Sequence, residues 1–175
     1  MGATNNFYRI VNVVPDFQTV VVPAKASTAF SPGDLVCWDS TNSWIEPVST
    51  GTSGVSNTVA NIGANFLGVC LDGKLSTDTT LGRPASNGLS GSLGNMAGLK
   101  VAQVCLYKAN VASGTFKHGD TVVGVTGSTG DYTVAAGSTS GSVIGTVFGN
   151  YASATTKVRV RLIGVKSDAV YADRN

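Results

Sequence analysis

The sequence predicts an all-β fold: a compact barrel or sandwich built from an internal repeat, with an extended N-terminal arm. Three observations lead there. Short β-prone runs are separated by Gly, Ser, Thr, Asn and Pro, residues that supply turn geometry. No long stretch shows the 3.6-residue apolar period of a capped amphipathic helix. Two sets of strand-like segments also follow one another in the same order. With 175 residues, the chain is long enough for one domain with a real core, or for two small fused halves. Only 13% of residues are charged, against about 25% in ordinary globular proteins. Gly, Ser, Thr and Asn fill the deficit, leaving a weakly repelling surface suited to packing against other surfaces.

The first element is the arm, residues 1–18. Its run Phe7-Tyr8-Arg9-Ile10-Val11-Asn12-Val13-Val14 is apolar and β-prone, and Pro15 follows at once. Such a terminal strand either completes the protein's own sheet or adds to a neighbour's edge. Phe7, Tyr8, Ile10, Val11 and Val13 are therefore the candidate partner-binding residues. The β body spans 19–164, with strands expected at 19–22, 34–38, 44–48, 66–71, 100–107, 121–125, 132–135, 143–148 and 157–163. A tail, 165–175, closes the chain.

The repeat divides the body at about residue 110, into halves 19–110 and 111–164. Phe30-Ser31-Pro32-Gly33-Asp34-Leu35-Val36 is answered by Phe116-Lys117-His118-Gly119-Asp120-Thr121-Val122. A strand with an aromatic follows in each (Trp44-Ile45-Glu46-Pro47-Val48; Tyr132-Thr133-Val134-Ala135), then a Gly-centred strand (Phe66-Leu67-Gly68-Val69-Cys70; Val143-Ile144-Gly145-Thr146-Val147). Each half closes on an alternating strand, Lys100-Val101-Ala102-Gln103-Val104 or Lys157-Val158-Arg159-Val160-Arg161-Leu162. Gly33 and Gly119 suit tight turns, and Asp34 and Asp120 can accept from nearby amides. A glycine inside a strand marks a bulge or a close backbone approach. The first half also carries a Gly/Ser-rich insertion, 73–98, too long for a routine connection.

Chemistry-bearing residues are sparse. The only histidine, His118, lies in a turn, so a Ser/His/Asp arrangement has one possible base. Neither a Gly-x-Ser-x-Gly elbow nor a phosphate-cradling Gly-Lys-Ser/Thr is present. Asp34, Asp39, Glu46, Asp72, Asp120 and Asp131 could supply a carboxylate pair, but most adjoin turn formers. Asp72, Asp78 and Asp131 do not follow a calcium-loop spacing. Cys37, Cys70 and Cys105 lie in separate apolar runs, without metal-ligand spacing, and read as buried thiols. No catalytic, cofactor or metal residue is assigned. Trp38 and Trp44 flank a hairpin turn, either packing in the core or presenting a ring to sugar or protein.

The net charge is +2 without a basic run, which argues against direct nucleic-acid binding. Lys157, Arg159 and Arg161 alternate with Val158, Val160 and Leu162, so a strand would set three cations on one, solvated or partner-facing, side. Nothing approaches a membrane span, and the first residues lack a signal-peptide pattern. A soluble product of its host's cytoplasm is expected.

The repeated Gly-Asp-x-Val entry, the Leu67-Gly68-Val69 strand ending at Asp72, and the alternating closing strand resemble the capsid decoration (cement) proteins of tailed phages, a family formerly known as a domain of unknown function. The resemblance covers about residues 19–164. It implies a small β-barrel protein on the outer surface of the virion capsid, bound to the major capsid protein as a homotrimer, stabilising the shell without a cofactor, an enzymatic activity or contact with the packaged DNA. The alternative is a carbohydrate- or protein-binding β module of a virion fibre or tail.

Overall fold

The computed structural model describes residues 10–12, 19–48, 54–77, 98–127 and 132–164. These form two antiparallel sheets and one short helix, so the fold is all-β as expected. In chain order the elements are β1 (Ile10–Asn12), β2 (Thr19–Val22), β3 (Leu35–Asp39), β4 (Trp44–Pro47), α1 (Val59–Asn65), β5 (Phe66–Cys70), β6 (Leu99–Ala102), β7 (Val104–Phe116), β8 (Thr121–Gly124), β9 (Val134–Ala136), β10 (Val143–Val147) and β11 (Tyr151–Ile163).

The internal repeat reappears in the topology. One sheet has the order β2-β6-β5-β3-β4, the other β1-β7-β11-β10-β8-β9. Without β1 the two orders are the same, with β2 matched by β7 and β3–β6 by β8–β11. With β1 set aside, each set of five strands also curls until its outer strands meet. Ala24, just beyond β2, bridges Ile45 of β4, and Asn110 of β7 bridges Thr133, just before β9. The five-stranded sheet is thereby nearly closed into a barrel, which removes the exposed edges of an open sheet.

The shared residues hold equivalent positions. Asp34 accepts from the Ser31 amide at 2.6 Å, and Asp120 from the Lys117 amide at 2.7 Å. Gly33 and Gly119 have φ of 96° and 91°, where a side chain is disfavoured. Their amides donate to Cys70 and Val147, the last residues of β5 and β10. The ladder slips beside both mid-strand glycines, Gly68 and Gly145. A Cβ at Gly68 would lie 2.1 Å from the Ala102 carbonyl oxygen, and one at Gly145 2.3 Å from that of Arg161. Both glycines let two backbones come together.

Two hydrophobic clusters fill the body. One joins Val20, Val22, Ala24, Phe30, Val36, Trp38, Ile45, Leu67, Cys70, Leu99 and Val101, all from the first half. The register places their second-half counterparts at Tyr107, Ala109, Val111, Phe116, Val122, Gly124, Val134, Ile144, Val147, Val158 and Val160. Every one except Gly124 belongs to the other cluster. At Gly124, where the first half has Trp38, Ile62 of α1 packs: a Cβ there would be 2.5 Å from the Ile62 side chain. The helix comes from the first half and fills the second. Leu35, Cys37, Phe66, Val69 and Ala102 join this second cluster from the first half, so the two halves share a core and fold as one body.

Three features differ from the sequence reading. The strand expected at 100–107 is broken at Gln103, where the chain passes from one sheet to the other; the halves therefore meet there and not near 110. Ala102 and Gln103 are both fully buried, an interruption of alternation that accompanies the change of sheet. β7 and β11 outrun their expected lengths because each supplies the other's ladder out to Tyr151 and Phe116. The helix was not expected: its seven residues bury only Ile62 and Gly63, and Thr58 caps its start by accepting from the Asn61 amide. Of the 73–98 insertion, residues 78–97 lie outside the described residues.

Candidate docking surface

Charge placement separates the surface from the interior. All five described acidic side chains are engaged within the chain. Asp34 and Asp120 serve the repeat turns. Asp39 accepts from the Thr41 and Asn42 amides and the Asn42 side chain. Asp72 accepts from the Lys100 amide. Glu46 is fully buried and pairs with Lys25 at 2.9 Å. Lys74, also buried, donates to the carbonyls of Lys25 and Thr28 and lies 6.0 Å from the Phe30 ring. These groups build turns and close one end of the first half, and they do not converge on a common cleft.

The cations of β7 and β11 are placed differently. Along β11, Val158, Val160 and Leu162 are buried, while Lys157, Arg159 and Arg161 are exposed, as the alternation requires. Register adds a fourth: Lys108 of β7 is exposed and directly opposite Arg159. Like charges facing each other across a ladder are destabilising. None of the four forms an ion pair among the described residues, where the only salt bridge is Lys25–Glu46.

An aromatic stands beside this row. Phe148 follows β10, donates its amide to the Arg159 carbonyl at 2.8 Å, and is 50% exposed. His118 meets its ring edge-on, at 5.5 Å between centroids. The imidazole Nδ1 accepts from the Gly149 amide, and the His118 amide donates to Asn150. The histidine thus braces a turn. The Tyr151 hydroxyl accepts from the Arg159 amide and donates to the Phe148 carbonyl, fixing the backbone around the pair.

The remaining sequence candidates fall as follows. Ile10 and Val11 lie in β1, which pairs antiparallel with β7 of its own chain, Ile10 opposite Tyr107; Phe7, Tyr8 and Val13 lie outside the described residues. Gly33, Asp34, Gly119 and Asp120 are turn residues. Trp38 is buried in the first cluster, whereas Trp44 is half-buried and faces the other way, opposite Asp39. The three cysteines are free and buried. Burial pushes the Cys70 and Cys105 thiols up to about 12, and drives Cys37 higher still, beside the Glu46 charge. Asp131 is outside the described residues; among those described, no three His, Cys, Asp or Glu side chains are grouped to hold a metal ion. No described helix is long and apolar enough to cross a membrane.

No protein-family model matches the chain, and no curated protein matches it significantly.

Proposed function

We propose that this protein is a structural component of a virion, binding the outer surface of a bacteriophage capsid as a decoration protein and acting as a homotrimer. The observation that supports this reading is the duplicated, cross-packed β body. Its described acids are engaged in turns or an ion pair, its thiols are buried, and four unpaired cations and an exposed aromatic gather on one side of an outward ribbon. Such a body works by adhesion. Contacts of about 1,600 Å² suffice for a specific protein complex, and engagement of several shell subunits at once raises avidity even when each contact is weak.

β1 is the element that the repeat does not duplicate, and it occupies the outer edge of the six-stranded sheet. The same edge of β7 can take a strand from its own chain or from a neighbour, the exchange that links protomers in swapped oligomers. Deleting residues 1–14 tests this. The expected result is a folded body by circular dichroism, with trimer formation in light scattering and binding to purified capsid shells both reduced. A truncated protein that trimerises and decorates shells as before would refute the arm's role. Failure of the full-length chain to bind any shell would refute the reading as a whole.

A further inference from the structure

We infer that the outward face of the β7–β11 ribbon, centred on Arg159 and Lys108, docks a carboxylate-bearing surface of another protein. This deepens the assembly reading and rests on it for the identity of the partner.

Three features carry the inference. The first is electrostatic. Lys157, Arg159 and Arg161 repeat at every second residue of one strand, about 7 Å apart, and Lys108 extends the patch sideways. Acidic side chains on one face of a partner strand repeat at the same interval, and arginine binds carboxylate through two parallel hydrogen bonds. The second is the opposed pair Lys108–Arg159, which costs the isolated sheet stability; an anion laid between the two cations reverses the sign of that term. The third concerns the occupant. The described acids of this chain each sit in a turn or an ion pair and are not gathered into a patch, so the complementary charge is assigned to a different protein.

The neighbourhood favours protein over nucleic acid. Beyond the cations, the ribbon continues through Ala112, Ser113, Ala152, Ser153 and Ala154, all exposed. These short side chains lose little entropy on burial and carry no positive charge to neutralise a continuing phosphate backbone. Phe148, half-exposed opposite Arg159, supplies the apolar contact that, with arginine, typifies the strong points of protein interfaces.

The test uses the full-length chain and three single charge reversals: Arg159→Glu, Lys108→Glu and Lys100→Glu. Lys100 is exposed on the other sheet, so its reversal makes the same change in net charge at another place. Binding to poly-L-glutamate and to single- and double-stranded DNA of similar length is measured by fluorescence anisotropy at low and at physiological salt. The expected result is tighter binding of poly-L-glutamate than of either DNA. Arg159→Glu and Lys108→Glu should weaken it at least about tenfold, and Lys100→Glu less than about twofold. Tighter binding of DNA through the same residues would overturn the inference in favour of a nucleic-acid face. Equal losses in all three variants would reduce the effect to net charge, and absent binding would leave only a solvated strand face; either result overturns it. Capsid shells that bind the protein equally well after Arg159→Glu would overturn this inference while leaving the assembly reading in place.

Discussion

Placing a methyl group at the mid-strand glycine of either half should cost the fold several kcal/mol. In Gly68→Ala the new Cβ would sit 2.1 Å from the Ala102 oxygen, and in Gly145→Ala 2.3 Å from the Arg161 oxygen. Ordinary contact begins near 3.4 Å, so each closing strand must retreat by about 1 Å, and the obstacle is backbone that cannot swing aside. Overpacking of this kind costs about 1–3 kcal/mol, and each ladder hydrogen bond stretched by the retreat adds up to about 1 kcal/mol. A total of about 2–4 kcal/mol follows. For a domain of this size, 1 kcal/mol corresponds to about 2–4 °C in Tm, so each variant should melt roughly 5–15 °C lower. Thermal melts followed by circular dichroism and urea unfolding at 25 °C measure it. Gly54→Ala is the control, because nothing lies within 4 Å of its added Cβ. Variants at Gly68 and Gly145 that melt within about 1 °C of wild type would refute the close approach. A loss at only one of them would refute the equivalence of the halves.

Other consequences are as direct. Ile62→Ala should destabilise by about 2–5 kcal/mol in urea unfolding, because Ile62 is fully buried in the shared core against Gly124. Lys108→Glu should raise stability by a few tenths of a kcal/mol, up to about 1, by turning a like-charge pair into an opposite one; the melt should rise while anion binding falls. Lys25→Met strands the fully buried Glu46 carboxylate and should cost about 1–3 kcal/mol, a buried-pair loss reduced by the partial exposure of Lys25. The thiols make stability fall in alkali. Their folded-state pKa values are raised, so they contribute fully below about pH 9 and lose that contribution as pH rises toward about 12. Cys70 and Cys105 both contribute to that fall across the window. Native protein should accordingly be inert to a thiol reagent such as DTNB at pH 8 and react at all three cysteines once unfolded.

How far the residues announced this structure depended on the range of the interaction. Strands whose apolar alternation is local, such as Thr19–Val22 and Lys157–Leu162, were legible at once, and so were the Gly-Asp turns, whose geometry is set within four residues. The repeat was visible because those turns recur in order. The switch at Gln103 was harder to see, since β-prone residues run unbroken through it and only the polar side chain marks the passage. The helix was hidden by its length and composition: Val-Ala-Asn-Ile-Gly-Ala-Asn offers no stripe, although Thr58 is a fair capping signal. Its purpose depends on a vacancy at Gly124, far away in the sequence. Of the cation patch, the β11 row was legible from alternation. Lys108 and Phe148 enter through register, which no local pattern encodes. The Lys25–Glu46 pair likewise exists because the first sheet closes at Ala24 and Ile45.

Gln103 alone separates β6 from β7, and that economy governs how the molecule bears load. No slack lies between the two sheets at this crossing. A pull on one is delivered along a single run of backbone into the other, and the Gly164 amide, bonded to the Gln103 carbonyl at 2.7 Å, ties the far end of β11 to the same point. The protein should accordingly rupture in one event under force, with no intermediate in which one unit has opened and its twin persists.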